Sequence, residues 1–142
     1  MTVKQLSVFI ENRKGRLGEV LAVLKEGHVN ILSMSLADTT EYGLLRLIVK
    51  DAEEGRRRLV EAGFSGMVTD VFILKIPHRA GSLQEILELV SARGISIEYM
   101  YGLSVGAQDA CVVMKTGDLS LAERVLSEEG IETLTEAELA AL

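Results

Sequence analysis

The chain has 142 residues, of which 48% are apolar and 25% are charged, as in an ordinary globular protein. Its net charge of −6 disfavours a grip on nucleic-acid phosphates. Cys111 is the single cysteine, which excludes an internal disulfide. The sequence begins without a signal-peptide pattern, and no apolar run approaches the ~18–20 residues of a membrane span. We therefore expect a soluble cytoplasmic protein that binds neither nucleic acid nor membranes.

The sequence repeats itself with an offset of about 66 residues. The pattern Arg13-x-Gly15-x-Leu17 recurs as residues 79, 81 and 83, and the apolar run 44–49 aligns with 110–115. Gly63 then meets Gly130 one residue out of step, which indicates a single insertion. The repeat predicts two similar domains, residues 1–69 and 70–142.

Hydrophobic periodicity predicts the same elements in each unit. In the first unit, alternation at residues 6–10 indicates a strand, and apolar residues at i, i+3, i+4 and i+7 after Gly15 indicate a helix that Gly27 ends. Further predicted elements are a strand at 29–37, a turn at 38–43, a strand at 44–50, a helix at 52–62 and a short strand at 66–69. The second unit predicts a helix after Gly81 that Gly94 ends, a strand at 95–103, a turn at 104–109, a strand at 110–116, a helix at 119–129 and a strand at 131–134.

This order, βαββαβ twice, predicts an α+β fold of two tandem ferredoxin-like units. Each unit would have an antiparallel sheet with both helices on one face. Because almost no linker separates the units, we expect them to pack rigidly side by side.

A search for catalytic residues finds little. The chain has no Gly-x-Gly-x-x-Gly and no Walker-type Gly-Lys-Ser/Thr motif, and its two histidines are too few for a Cys/His zinc site. Cys111 lies in an apolar strand, where a buried, unreactive thiol is expected. We therefore predict no catalytic residue, no metal and no cofactor, although a small enzyme stays an alternative.

The strand-to-helix turns at Gly15 and Gly81 are the most informative feature. Glycine lets a ligand approach the backbone closely, and the helix that follows begins with unpaired N–H groups and a positive dipole end that suit a carboxylate. Asn12 offers an amide that can meet an α-amino or α-carboxylate group. The alternative is that these residues only build tight turns.

The segment from Glu11 to Leu17, followed by Val29-Asn30-Ile31, resembles the ACT domain, an amino-acid-sensing regulatory module. It is most similar to the regulatory domain of D-3-phosphoglycerate dehydrogenase, although Lys14 replaces the usual proline of the turn. The resemblance implies a ligand held between the turn of one domain and the strand of the other. It implies the following ligand-binding residues: Asn12, Arg13, Gly15, Arg16, Leu17, Asn30, Ile31, Leu32, His78, Arg79, Gly81, Ser82, Leu83, Ser96, Ile97, Glu98 and Tyr99.

The two implied sites are unequal, because His78 and Ser96 stand where Asn12 and Asn30 stand in the first unit. We predict one tight ligand, or two with distinct affinities. The predicted function is a non-catalytic sensor that binds a free amino acid between its ACT domains and regulates an enzyme in trans. The alternative is an assembly module with vestigial sites.

Strand parity also predicts a homodimer. Leu6, Val8, Ile10, Ile31, Leu45, Leu47 and Val49 should face the helices. The other face should carry Phe9, Leu32, Met34, Leu44 and Ile48, with Val71, Ile73, Val112 and Met114 in the second unit. So broad an apolar face is usually covered, and with no further layer predicted in the chain, a second copy would cover it.

Overall fold

A computed structural model describes residues 1–38, 41–105 and 109–142, which form two compact units. The N-terminal unit comprises Lys4–Thr69, and the C-terminal unit comprises Asp70–Leu142 together with Met1–Val3. The turns predicted at 38–43 and 104–109 lie partly outside the described residues, at 39–40 and 106–108. The side-by-side packing of the units stays a prediction.

The N-terminal unit has an antiparallel sheet in the order β2-β3-β1 with two helices on one face. Its elements are β1 (Val3–Glu11), α1 (Arg16–Glu26), β2 (Ile31–Asp38), β3 (Tyr42–Val49), α2 (Ala52–Glu61) and the first part of β4 (Ser65–Pro77). The alternating residues of β1 and β3 bury one face against the helices, and Val8 lies opposite Leu45. The core of this unit is formed by Leu6, Val8, Ile10, Val20, Leu24, Val29, Leu45, Leu47, Val49, Ala52, Leu59 and Phe64.

The C-terminal unit repeats this arrangement in the order β4-β6-β5. After β4 it contains α3 (Ser82–Ala92), β5 (Ile97–Val105), β6 (Asp109–Thr116), α4 (Leu119–Glu128) and a short α5 (Glu136–Ala140). Its helix-side core is formed by Phe72, Leu74, Ile76, Val90, Ile95, Met114, Ala122, Val125 and Leu126. The predicted α+β fold of tandem units, each with its two long helices on one face of an antiparallel sheet, is confirmed.

The prediction of which residues face away from the helices was wrong at three positions. A register shift between Ile31 and Ser33 places Met34 opposite Leu47, on the helix side. Val112 and Met114 also lie on the helix side, where Met114 pairs with the core residue Phe72. Leu6 of β1 pairs with Leu47, and the equivalent residue of β4, Phe72, pairs with Met114. Met114 is one residue further along the chain than the repeat offset predicts for the counterpart of Leu47. The inserted residue therefore lies before β6, and it exchanges the two faces of that strand.

The other face of the C-terminal sheet, which we call the outer face, carries Val71, Ile73, Lys75, Cys111 and Val113. All but Lys75 are at most 5% exposed. The prediction that nothing in the chain covers this face was wrong, because α5 lies against it. The Lys75 Nζ is 2.9 Å from an oxygen of the Glu138 carboxylate, and Leu134 and Leu139 are buried.

The strand predicted at 131–134 was also wrong in extent. Only a single bridge between Thr133 and Leu74 forms there. It is flanked by hydrogen bonds from the Leu134 N–H to the Ile73 carbonyl and from the Lys75 N–H to the Glu132 carbonyl, each 2.9 Å long. These bonds lead the chain directly into α5.

Gly94 ends α3 as predicted, whereas Gly27 does not play the same part at the end of α1. Gly94 has a φ of 82°, and its N–H bonds back to the Ser91 carbonyl. At the end of α1 the residue with positive φ is His28, at 55°, while Gly27 has a φ of −78°. The last carbonyls of α1 and of α3 accept equivalent hydrogen bonds, but in α1 the residue with left-handed backbone conformation is the one after Gly27.

The contact between Lys75 and Glu138 predicts an acid-sensitive contribution to stability. The Lys75 ammonium and the Thr135 backbone N–H lower the pKa of the Glu138 carboxyl from 4.5 to about 2. A lowered pKa in the folded state stabilises it above the ordinary value, and this stabilisation is lost as the pH falls from 4.5 towards 2. We expect Glu138→Gln to be less stable than the wild type in urea at pH 6, with the gap narrowing at pH 3. An equal gap at both values would contradict the prediction.

Candidate functional site

The two strand-to-helix turns have the same backbone geometry. Gly15 and Gly81 each precede the first helical residue with a φ of 88°, a conformation that residues with a Cβ rarely adopt. In both turns the first helical N–H bonds back three residues at 3.3 Å, to Arg13 or to Arg79. Because glycine has no side chain that could cap the helix, the first turn of the helix offers N–H groups and a positive dipole end to an anion.

A cavity of about 290 Å³ lies at the first turn, and we call it the N-terminal cavity. Its lining carries charges of both signs beside apolar side chains. The Arg13 Nε is 3.1 Å from a carboxylate oxygen of Glu11, and both side chains are more than half exposed. The lining residues are Ile10, Glu11, Asn12, Arg13, Arg16, Leu17, Leu36, Asp38 and Gly43.

Among the charged side chains that line this cavity, that of Arg16 is the least exposed. Its guanidinium lies 4.3 Å from the centroid of the Phe64 ring, a distance at which a cation is attracted to the ring. The Nη1 atom is 2.5 Å from the Glu19 carboxylate, and the Arg16 side chain is only 19% exposed. The Nε atom is buried and has no hydrogen-bond partner. These contacts hold a cation in one place at the edge of the cavity.

A second cavity, of about 400 Å³, occupies the equivalent place in the C-terminal unit, and we call it the C-terminal cavity. It is lined by Ile76, Pro77, His78, Arg79, Ala80, Ser82, Leu83, Ala110 and Val112. Glu85 pairs with Arg79 at 2.9 Å and raises the pKa of its guanidinium. Ser82 stands where the first repeat has Arg16, and its buried hydroxyl has no hydrogen-bond partner.

An open cleft of about 810 Å³ runs beside the same turn, along α3 to the beginning of β5. It brings Ser96 and Ile97 together with Arg79, Gly81 and Leu83 of their own unit. The pairing of each turn with a strand of the other unit, which the family resemblance implies, stays a prediction.

The structure thus gathers most of the turn residues that the sequence singled out. Asn12, Arg13, Arg16 and Leu17 line one cavity, and His78, Arg79, Ser82 and Leu83 line the other. Asn30, Ile31, Leu32, Glu98 and Tyr99 are not among the lining residues of the cavities and cleft described above. A role for them in ligand binding stays a prediction.

Leu36, Asp38 and Gly43 complete the N-terminal cavity, and they are not among the ligand-binding residues predicted from the sequence. They come from the end of β2 and the beginning of β3, and Gly43 lies opposite both Ile10 and Asp38 in the sheet. The signal that could have found them is this register, since it places the far end of the β2–β3 hairpin beside the turn.

Within residues 1–38, 41–105 and 109–142, no group of three or more His, Cys, Asp or Glu side chains is arranged to hold a metal ion. Nor does this part of the chain contain a helix with the length and apolar character needed to cross a bilayer.

Comparisons with known proteins agree on the kind of module. A family model described as an ACT domain pair matches residues 1–142. The crystal structure of a Bacteroides thetaiotaomicron protein is similar, with 34% identity and a TM-score of 0.93 over 100% of this chain and 98% of that one. The ligand-free regulatory subunit of aspartate kinase from Thermus thermophilus shares the fold, with 18% identity and a TM-score of 0.64 over 89% and 90% of the two chains. No curated protein sequence matches the chain.

Proposed function

Because the chain belongs to the family of ACT domain pairs, we propose that it is a non-catalytic regulatory protein that binds a free amino acid and acts on a partner enzyme in trans. The observation that carries the proposal is the N-terminal cavity, where groups of both charges surround the beginning of a helix whose cap is a glycine. A free amino acid has the matching combination of a carboxylate and an ammonium on adjacent atoms.

The lining of the N-terminal cavity can satisfy both ends of such a ligand. Its carboxylate would accept hydrogen bonds from N–H groups in the first turn of α1 beyond that of Arg16, which bonds to the Arg13 carbonyl, and the helix dipole favours negative charge there. Its ammonium would lie near Asp38 and the Asn12 side-chain carbonyl, which are hydrogen-bond acceptors. A volume of about 290 Å³ lies just below the ~300–1,000 Å³ that is usual for ligand pockets, and this favours a small metabolite.

A titration with the twenty amino acids tests this proposal. At 100 times its dissociation constant, a ligand that binds only the folded protein stabilises it by about 2.7 kcal/mol, so the melting temperature should rise with at least one amino acid. Calorimetry should then show that Asn12→Ala weakens binding about 5- to 10-fold, the effect of losing one hydrogen bond.

Glu53→Ala provides the matched control, because Glu53 lies on α2 and pairs with Arg56 outside the cavity lining. We expect its ligand affinity to equal that of the wild type. The proposal fails if none of the twenty amino acids changes the melting temperature or gives a heat of binding. Equal losses in both variants would remove the turn from the site.

A homodimer is the assembly that we propose for this protein. In the N-terminal unit, a groove of about 530 Å³ on the sheet face away from α1 and α2 is lined by Phe9, Ala37, Asp38, Tyr42, Gly43, Leu44 and Arg46. Phe9 is 50% exposed and Tyr42 is 54% exposed. Grouped aromatic exposure of this kind marks interaction surfaces.

We expect light scattering at micromolar concentration to give about twice the monomer mass of 15.5 kDa. Phe9→Asp should then yield a monomer, because it places a charge in the apolar interface. Val60→Asp is the control, since Val60 is 48% exposed on α2 and the change adds the same charge elsewhere. A monomeric wild type would refute the dimer and leave the proposal of amino-acid binding intact.

A further inference from the structure

We propose that the N-terminal cavity selects an amino acid whose side chain carries a carboxylate, and that Arg16 sets this preference. The inference rests on the proposed function, since it names the class of ligand for the same cavity. It goes further because the choice of ligand depends on a residue that the two repeats do not share.

Arg16 is one of the residues at which the two cavities differ. Ile10 and Leu17 recur as Ile76 and Leu83, and Arg13 recurs as Arg79, so the two cavities share part of their lining. At the first position of the helix, however, one repeat has an arginine and the other has Ser82. A cation therefore lines the N-terminal cavity at a place where the C-terminal cavity has a neutral hydroxyl.

The charges of the N-terminal cavity complement an acidic amino acid. Such a ligand brings two carboxylates and one ammonium. One carboxylate would bind at the beginning of α1 beside Arg13, and the other would pair with the Arg16 guanidinium. The ammonium would pair with the Asp38 carboxylate. Arg13 and Arg16 are paired with Glu11 and Glu19, whose side chains are more than half exposed, so water can solvate these two carboxylates once the carboxylates of a ligand replace them.

Arg16 is arranged to act as a fixed anchor. Its stacking on the Phe64 ring restricts the side chain before any ligand arrives, so less conformational entropy is lost on binding. Its Nε is buried and makes no hydrogen bond, so the Glu19 carboxylate, which contacts Nη1, leaves part of the hydrogen-bonding capacity of the guanidinium unused. Arginine also presents a planar fork that matches a carboxylate with two parallel hydrogen bonds.

The C-terminal cavity should lack this preference. Ala110 and Val112 line it beside Ser82, and it has no arginine at the position of Arg16. We expect this cavity to accept neutral side chains and to bind an acid no better than the corresponding amide.

Calorimetry on the full chain tests the inference with L-aspartate and L-glutamate, each against its own amide, L-asparagine or L-glutamine. For at least one pair we expect the acid to bind about 10- to 100-fold more tightly, the range for a hydrogen-bonded charge. Arg16→Met should reduce the affinity for that acid by the same factor and leave the affinity for the amide within about 3-fold. Arg56→Met, an exposed arginine on α2, is the control and should change neither affinity.

A second measurement uses the wild type, so its result does not depend on whether the Arg16→Met variant folds stably. The NMR signal of the Arg16 Nε–H should shift with the acid and stay in place with the amide. The inference is overturned if acid and amide bind equally in both pairs, if Arg16→Met weakens both alike, or if the Nε–H signal does not respond to the acid. In each of these cases amino-acid binding itself stands. If no amino acid binds at all, the proposed function fails and this inference fails with it.

Discussion

Met114→Ala should lower the free energy of unfolding by about 2–5 kcal/mol, the usual cost of emptying a large buried site. Met114 is fully buried on the helix side of the C-terminal sheet, directly opposite Phe72, which is also fully buried. Truncation removes the apolar contacts of the Met114 side chain and leaves a cavity that surrounding helices cannot fill without moving. Urea denaturation followed by circular dichroism measures the change.

Lys115→Ala is the control, since Lys115 is the next residue along β6 and is only partly buried. We expect it to change the unfolding free energy by less than about 1 kcal/mol, as surface substitutions do. If Met114→Ala were as mild as the control, Met114 would not belong to the helix-side core. Its place there depends on the inserted residue that precedes β6.

The face of β6 shows why the sequence predicted the elements better than their orientation. Its residues from Ala110 to Met114 are all apolar, so alternation cannot tell one face from the other. The faces of β6 could then be assigned only from its alignment with β3 in the repeat, and a one-residue error in that alignment exchanges the two faces of the strand. The helices, by contrast, carry their own signals, and α2 and α4 each begin after an Asp whose carboxylate caps the helix.

The short helix α5 has a local sequence signal at its beginning, although no helix was predicted there. Thr135 and Glu138 form a capping box, in which each side chain bonds the backbone N–H of the other residue. The pattern Thr-x-x-Glu before an apolar residue is a recognisable helix beginning. With only five residues, α5 shows no helical periodicity, and hydrophobic patterning predicted no element after the strand at 131–134.

The residues of the candidate site also differ in how far apart they lie in the sequence. Asn12, Arg13, Arg16 and Leu17 were predicted because the turn and the beginning of α1 are contiguous in sequence. Asp38 joins them only through the pairing of β2 with β3 and of β3 with β1. The sequence shows the strands but not their register, so this wall of the N-terminal cavity could not be predicted.

Leu139→Ala should destabilise the protein by about 2–5 kcal/mol and expose the outer face of the C-terminal sheet. Leu139 is 1% exposed although only three residues follow it in the sequence given, and it is the buried side chain of α5. A helix of five residues has little stability of its own, so the burial of Leu139, with the contact between Lys75 and Glu138, holds it in place. Weakening this attachment should let α5 detach before the rest of the unit unfolds.

Cys111 reports such detachment, because it is 5% exposed on the outer face directly opposite Lys75. Its thiol should react with a maleimide faster in Leu139→Ala than in the wild type, under conditions where the melting curve shows both proteins folded. Leu142→Ala is the control in the same tail, since Leu142 is 41% exposed, and its labelling rate should match the wild type. If Leu139→Ala left the labelling rate unchanged, α5 would not be the layer that shields this face of the sheet, and the burial of Cys111 would have another cause.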